Sequence, residues 1–233
     1  MTARVLLLTE DSAKDAHATL EALLRKLLQS VQRHDALRVR VDPPSAQAAR
    51  GAHRNEWKAR GKPHVTAMLR ELATHIAQED KFAVFHVDAD ATWTDGRRRV
   101  PQNLALFEQR VRQPLRLLLA GKNPAAIARL FVLHPHYSIE ARLYQTAREA
   151  LRILAETPCS HGCRAKVEAW KADRALLDEV EKPKDTTPCL RDRHNLALTN
   201  GLPIDDVLAA EKSLHEARDH LAASTELCAA LEA

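Results

Sequence analysis

Short apolar runs alternate with segments of helical spacing along the first 156 residues. Apolar residues recur every three to four positions over 20–31 and 65–76, and again over 102–120, where Pro114 is expected to interrupt the helix. The apolar runs predict four strands, at residues 4–9, 37–41, 82–87 and 129–134. Strands that alternate with helices predict a parallel α/β sheet flanked by helices.

Polar residues mark the expected ends of these elements. Ser12, with Asp15 three residues later, predicts a capping box at the start of the first helix. Ser138 is expected to cap a helix that follows the fourth strand and continues to Leu154. The polar and basic residues 45–62 are interpreted as a connecting segment.

The last third of the chain has helical patterning throughout. We expect a helix over 164–180, a linker over 181–189, and two further helices separated at residues 200–203. The pattern therefore predicts an α/β domain over residues 1–156 and an α-helical C-terminal extension over 157–233 that packs on it.

Carboxylates follow three of the four predicted strands. Glu10 follows the first, Asp88 and Asp90 follow the third, and Glu140 comes after the fourth. Because parallel strands end at one edge of a sheet, these groups are expected to converge there. Clustered carboxylates are costly unless a hard cation such as Mg²⁺ neutralises them. Asp88 and Asp90 alone could simply cap a loop, but the other two glutamates favour a metal site.

The stretches LLLTEDSAKDAHATLEALL, FHVDADA and HYSIEARLYQ resemble a Toprim domain in their order and strand placement. This is the metal-binding fold of topoisomerases, bacterial primases and nucleases of the overcoming-lysogenization-defect type. Glu10 matches the family's first glutamate, Asp88 and Asp90 match its DxD motif, and Glu140 is similar to an additional glutamate of small stand-alone Toprim nucleases. Two departures are Asp11, where the family often has glycine, and the long distance from Glu10 to the DxD motif.

The resemblance implies a catalytic domain over residues 1–156 that hydrolyses phosphodiester bonds of DNA or RNA with Mg²⁺ or Mn²⁺. Glu10, Asp88 and Asp90 would hold the metal and, together with Glu140, form the catalytic set. A nuclease is expected because topoisomerases and primases use further domains. Small Toprim proteins with helical additions often act in anti-phage defence beside an ATPase, so an ATPase partner is a further expectation. Separately, the helical extension could form the surface of a homodimer.

Basic residues are unevenly distributed in this chain of net charge +4, which is compatible with a polyanionic partner. Lys58 and Arg60, with Trp57 beside them, could bind a nucleic-acid backbone and stack on a base. The alternative is a solvated segment that Trp57 anchors to the core. A second candidate group for binding substrate phosphates consists of Arg97, Arg98 and Arg99. The alternative is that these residues are an exposed run of surface charge.

Cysteine and histidine residues raise a separate question of metal binding. Cys159, His161 and Cys163, completed by Cys189 or His194, could hold zinc, but C-x-H-x-C is not one of the usual structural pairs. Buried thiols at a helix start are the alternative. Likewise, the strand-end residues His134 and His136 could touch substrate or metal, or have a structural role.

The expected location follows from what the sequence lacks. The apolar run near the first residues is too short for a signal peptide, and no stretch approaches the ~20 apolar residues of a membrane span. Four cysteines do not indicate a disulfide scaffold in a chain of 233 residues. We therefore expect a soluble cytoplasmic protein.

Two other functions remain open at this stage. A DxD motif after a buried strand also occurs in nucleotide-sugar transferases, in which Glu10 would have no role. Alternatively, the chain is a non-catalytic interaction protein whose helical extension forms a dimer or partner surface. In that case Glu10, Asp88 and Asp90 would tolerate substitution.

Overall fold

A computed structural model of the chain describes residues 2–13, 15–32, 38–87, 102–134, 144, 146–173, 175–178, 180, 183–210 and 212–232. Its centre is one parallel four-stranded sheet with the strand order β2-β1-β3-β4. The strands are β1 Ala3–Thr9, β2 Val39–Asp42, β3 Lys81–His86 and β4 Leu130–Leu133. The predicted α/β fold class, a parallel sheet flanked by helices with helices at the C-terminal end, is confirmed.

Helices connect the strands and follow the last one. Up to β4 the helices are α1 Ala16–Gln32, α2 Ala46–Ala52, α3 Pro63–Ile76, α4 at 102–107 and α5 Gln113–Leu119. After β4 they are α6 Ala147–Glu156, α7 Cys163–Ala172, α8 Ala175–Asp178, α9 Pro183–Thr186, α10 Asn195–Asn200, α11 Ile204–Ala210, α12 Lys212–Ala222 and α13 Thr225–Glu232.

Alternating side chains of the strands enter two separate hydrophobic cores. On one face, Val5 and Leu7 of β1 pack with α1 and the C-terminal helices. On the other face, Leu6 and Leu8 pack with α2, α3 and α5. Because successive residues of a strand point to opposite faces, a sheet covered on both sides needs apolar residues at nearly every position. This requirement explains the uninterrupted apolar runs in β1 and β3.

The C-terminal helices belong to the first of these cores. Leu198, Leu214 and Leu227, from three different helices of the extension, are buried in the cluster that contains the β1 and α1 leucines. In addition, Lys26 Nζ of α1 donates a hydrogen bond to the Leu202 backbone carbonyl at 3.1 Å. The extension therefore covers one face of the sheet, while the predicted boundary between residues 156 and 157 stays a prediction.

The predicted start of the first helix is wrong. Helix α1 begins at Ala16 rather than after Ser12, because the Asp11 carboxylate accepts a bond from the Ala13 backbone N–H at 2.9 Å and forms a separate turn first. The helix that carries Leu154 begins at Ala147, with Thr146 preceding it. The predicted cap Ser138 lies outside the described residues and stays a prediction.

Residues 45–62 are more structured than expected. They contain α2, which the Ser45 hydroxyl caps by accepting from the Ala48 backbone N–H at 3.3 Å, and a 3₁₀ turn at His53–Lys58. Helix α2 packs closely on α3, since a Cβ at Gly51 would lie only 2.5 Å from the His64 carbonyl oxygen. This contact fixes the 3₁₀ turn beside the carboxyl end of β1.

The expected interruption near Pro114 takes the form of a π-type turn at Glu108–Arg112, directly before α5. Proline has no N–H to donate to a preceding turn, which explains the altered hydrogen bonding at this place.

Candidate active site

The carboxyl ends of β1 and β3 lie side by side at the centre of the sheet. The register pairs Thr9 with His86, and the Glu10 backbone N–H donates to the His86 carbonyl at 3.2 Å. From β1 the chain crosses one face of the sheet through α1, and it reaches β3 across the other face through α3. Parallel α/β sheets bind ligands outside such a point, where the strand order reverses. Glu10 therefore lies where this architecture places a binding site.

The Glu10 side chain is almost completely buried, with only 7% of its surface exposed. Its Oε2 atom accepts a hydrogen bond from Trp57 Nε1 at 3.3 Å. Trp57 itself has no exposed surface and packs edge-on against Phe85 and Phe107, with ring centroids 6.1 and 5.7 Å away. Burying a carboxylate costs free energy unless it is paired or hydrogen-bonded. The hydrogen bond from the Trp57 indole offsets part of this cost and fixes the position of the Glu10 carboxylate.

The 3₁₀ turn that carries Trp57 is also bound to the backbone of the β1–α1 turn. The Arg54 N–H donates to the Glu10 carbonyl at 2.7 Å, and Arg54 Nε donates to the Ser12 hydroxyl at 3.2 Å. Arg54 and Asn55 both have left-handed backbones, with φ of 51° and 63°. Such conformations cost about 1–3 kcal/mol each in residues other than glycine, and they concentrate at functional sites.

Polar side chains at the two strand ends form a short network. The Thr9 hydroxyl lies 3.1 Å from His86 Nδ1 and accepts a bond from the Asp11 backbone N–H at 3.0 Å. Both Thr9 and His86 are buried. The network fixes the direction in which the chain leaves β1, and with it the position of Glu10.

The surroundings of His53 favour its neutral form. Burial lowers the pKa of His53 below its ordinary value of 6.5, and Arg54 lowers it further, while the nearby Asp11 raises it. At neutral pH this imidazole can therefore accept a proton. His53 is not predicted as a site residue from the sequence because it belongs to no motif, and Arg54 is only one of several basic residues of its segment. Only the packing of α2 brings both to this edge.

The two basic residues predicted in this segment differ in exposure, since Lys58 is half-buried and Arg60 is exposed. Lys58 Nζ is 5.1 Å from the centre of the Trp57 ring, within the range of a cation–π contact. Because Trp57 is fully buried, it cannot stack on a base, and the alternative that it anchors the segment to the core is confirmed.

Several predicted site residues lie outside the described part of the chain. In the sequence Asp88 follows Val87, whose N–H donates to the Leu133 carbonyl at 2.9 Å. Of the four acidic residues, the structure therefore describes only Glu10, and their convergence stays a prediction. The predicted residues outside the described ranges are Asp88, Asp90, Arg97, Arg98, Arg99, His136 and Glu140.

The described residues fit a divalent cation at this edge only in part. Glu10 offers the hard oxygen ligand that Mg²⁺ or Mn²⁺ prefers. Over the described ranges, three or more potential metal ligands come together only at the cysteines discussed below. A complete magnesium site would therefore need further carboxylates, for which Asp88 and Asp90 stay the predicted candidates.

His134, at the end of β4, lies near the C-terminal helices. Burial is the main cause that lowers its pKa, and Glu216 and His220 of α12 are close enough to influence it. His134 was considered either as a contact to substrate or metal or as a structural residue, and this environment favours the structural role.

The cysteine residues form a separate cluster between α6 and α10. Cys159 and Cys189 are joined by a disulfide, and the buried Cys163 lies beside them. The three Sγ atoms lie within 4.8 Å of one another, and His161 Nδ1 is 3.8 Å from Cys189 Sγ. His194 has another role, since its Nδ1 accepts from the Arg191 backbone N–H at 3.1 Å.

No helix in the described part of the chain is both long and apolar enough to cross a membrane. Comparison with known proteins adds no identity: no family model matches the chain, and neither a curated protein nor a solved structure is significantly similar to it.

Proposed function

We propose that the chain is a metal-dependent nuclease of Toprim type that hydrolyses phosphodiester bonds of DNA or RNA. The observation that carries the proposal is Glu10, a buried carboxylate at the carboxyl end of β1, directly beside the end of β3. The DxD motif follows β3 in the sequence. A metal site formed by Glu10 and the DxD motif would explain why Glu10 is buried at the point where the strand order reverses.

The proposed chemistry needs a cation and side chains that bind the substrate. Mg²⁺ or Mn²⁺ supplies stabilisation of charge on the phosphoryl oxygens and activation of a water molecule. Glu10, Asp88 and Asp90 bind this cation, and Glu140 completes the acidic set. His53, neutral at pH 7, can accept a proton at the same edge.

Basic side chains around the site bind the phosphate backbone in this proposal. Arg54, Lys58 and Arg60 all lie in or after the 3₁₀ turn that contacts Glu10. Contacts to phosphates fix the register of a nucleic acid without reading its sequence. The run Arg97, Arg98 and Arg99 would add contacts on the side of β3.

The buried position of Glu10 favours this proposal over a nucleotide-sugar transferase, in which that residue would be idle. Action in the cytoplasm, a homodimer, an ATPase partner and a part in anti-phage defence belong to the same proposal, and the last two rest on the resemblance to Toprim proteins alone.

The proposal is tested by incubating the full chain with plasmid DNA, single-stranded DNA and tRNA, each with Mg²⁺ or Mn²⁺. We expect cleavage of at least one substrate, and loss of it in Asp88→Ala and Glu10→Gln. The matched control is Glu79→Gln, because Glu79 is an exposed acid just before β3, at the opposite edge of the sheet.

Two results would contradict the proposal. One is cleavage that survives in Asp88→Ala and Glu10→Gln, because the activity would then come from elsewhere. The other is turnover of a nucleotide sugar that Glu10→Gln leaves unchanged, which would identify a transferase.

A further inference from the structure

Four potential ligands of a soft metal meet in the cysteine cluster, far from the carboxylates in sequence. Three donors are Cys159 Sγ, Cys163 Sγ and Cys189 Sγ, which lie within 4.8 Å of one another. The fourth is His161 Nδ1, which lies beside this group of sulfurs, 3.8 Å from Cys189 Sγ. Cys159 and His161 lie between α6 and α7, Cys163 is the first residue of α7, and Cys189 precedes α10. Three sulfurs and one imidazole nitrogen form one of the ligand sets of structural zinc sites.

The disulfide accounts for only two of these four donors. A bond between Cys159 and Cys189 does not require a third sulfur, yet the buried Cys163 Sγ lies within 4.8 Å of both. It also does not require an imidazole, yet His161 Nδ1 is 3.8 Å from Cys189 Sγ. A site for one zinc ion accounts for all four.

The fold places these donors by specific local features. Gly162 has φ +66°, a conformation that lets the chain reverse between His161 and Cys163, the first residue of α7. Cys189 lies in a turn closed by a hydrogen bond of 2.9 Å from the Leu190 N–H to the Thr187 carbonyl. Lys166 Nζ of α7 donates to the Thr186 carbonyl at 2.7 Å and so binds the two segments together.

We propose that, in the reduced chain, Cys159, His161, Cys163 and Cys189 bind one zinc ion in a closed structural site. Zn–S bonds of about 2.3 Å in a tetrahedron place the sulfurs about 3.8 Å apart. Separations of up to 4.8 Å reach this value by rotation of the side chains. Four protein ligands leave no open position for substrate, so the site stabilises structure and does not catalyse.

The spacing of the ligands also supports zinc once the fold is known. Taken as a pair, Cys159 and Cys163 are separated by three residues, which lies within the usual range of two to four for zinc-binding cysteines. In the cytoplasm, which we propose for this chain, thiols remain reduced, and clustered cysteines there are more often metal ligands than disulfides.

The disulfide and the zinc site are alternative states of the same sulfur atoms. Reduction of the disulfide breaks the S–S bond and adds two electrons and two protons, which gives two thiols. In the test the electrons and protons come from a phosphine and water, since the phosphine is oxidised to its oxide with oxygen from water. Zinc binding then releases the protons of the three thiols.

The experiment uses the full chain, reduced with a phosphine without oxygen, mixed with Zn²⁺ and passed over a desalting column. Zinc per chain is measured by atomic emission, and Co²⁺ in place of zinc reports the ligands by its absorption. The variants are His161→Ala, at an exposed position that does not affect the core, and Cys163→Ser. The control is Cys228→Ser, because Cys228 is a free cysteine outside the cluster.

We expect one zinc per chain in the wild type and in Cys228→Ser. The Co²⁺ form should show thiolate charge-transfer and tetrahedral absorption bands. His161→Ala and Cys163→Ser should each weaken zinc binding by about a hundredfold or more, because loss of a ligand exceeds the usual effect of an outer-shell partner. The proposal is overturned if the reduced wild type retains no zinc, if cobalt gives no thiolate band, or if His161→Ala binds zinc like the control.

Discussion

The carboxyl edge of the sheet and the cysteine cluster position potential ligands in opposite ways. At the sheet edge, Glu10 directly follows a strand, is buried, and accepts a hydrogen bond from the indole of Trp57. In the cluster, the ligands lie on short turns between helices of the C-terminal extension. The first place offers hard oxygen and the second offers soft sulfur.

This difference teaches how each kind of site can be recognised. A sheet-edge residue follows its strand directly in the sequence, so the order of strands predicts it. The cysteines are brought together by helix packing across a sequence separation of 30, so spacing alone does not reveal them. The two places should therefore respond differently to metals, substitutions and redox state.

The largest expected effect is on catalysis at the sheet edge. Glu10→Gln should lower the initial rate of cleavage about 1,000-fold, because it removes a charge from the proposed metal site. The fold should survive, since a glutamine oxygen can still accept the Trp57 N–H. Rates are measured beside Glu79→Gln, which we expect to stay within about twofold of the wild type. Equal rates in both variants would remove Glu10 from the mechanism.

Removal of zinc from the reduced chain should affect stability and leave catalysis unchanged. A zinc-selective chelator should lower the melting temperature by about 5 °C or more, because the native state loses a ligand that the unfolded chain binds weakly. Scanning fluorimetry gives the melting temperature. The Mg²⁺-dependent cleavage rate at 20 °C, where the chain stays folded, should not change. A parallel loss of cleavage would show that the two sites are not independent.

A smaller effect is expected at the contact between Trp57 and Glu10. Trp57→Phe should cost about 2 kcal/mol of unfolding free energy, since it removes a donor to a charged group and leaves a smaller ring. In a Glu10→Gln background the same change should cost about 1 kcal/mol less. Urea unfolding of the four proteins in this cycle gives the coupling energy. A coupling of zero would mean that the hydrogen bond contributes nothing.

The smallest expected effect is on substrate binding. Lys58→Met retains the aliphatic chain but removes one charge, so it should weaken nucleic-acid binding only a few-fold. The slope of binding against salt should fall by about 1 for one lost phosphate contact. Fluorescence anisotropy with a labelled oligonucleotide measures both quantities. Lys122→Met, at an exposed turn before β4, is the control and should leave the slope unchanged.

Most of the sheet could be predicted from the sequence, because strands buried on both faces require continuous apolar runs. Helix α2 could not, because its Ala and Gly residues give little periodicity and its packing depends on the close approach of Gly51 to α3. The start of α1 was misplaced because Ser12 and Asp15 satisfy the local capping pattern, while the Asp11 side chain forms a competing turn.

The candidate site was predictable only where it follows strands. Glu10 was identified by its place after β1, but its indole partner, 47 residues away in sequence, comes from tertiary packing. The same packing brings Arg54 and His53 to the edge. The cysteines were noticed, but the choice of Cys189 over His194 required the turns that position them.

The most direct test of the central claim is calorimetric titration of the chain with Mn²⁺ while the Cys159–Cys189 disulfide is intact, so that these two sulfurs cannot compete for metal. It needs no substrate and no partner. The account predicts saturable binding in the wild type and in Glu79→Gln, weakened at least about tenfold in Glu10→Gln and in Asp88→Asn. Absence of saturable binding in the wild type, or equal binding in all four proteins, would contradict a metal site at the carboxyl edge of the sheet.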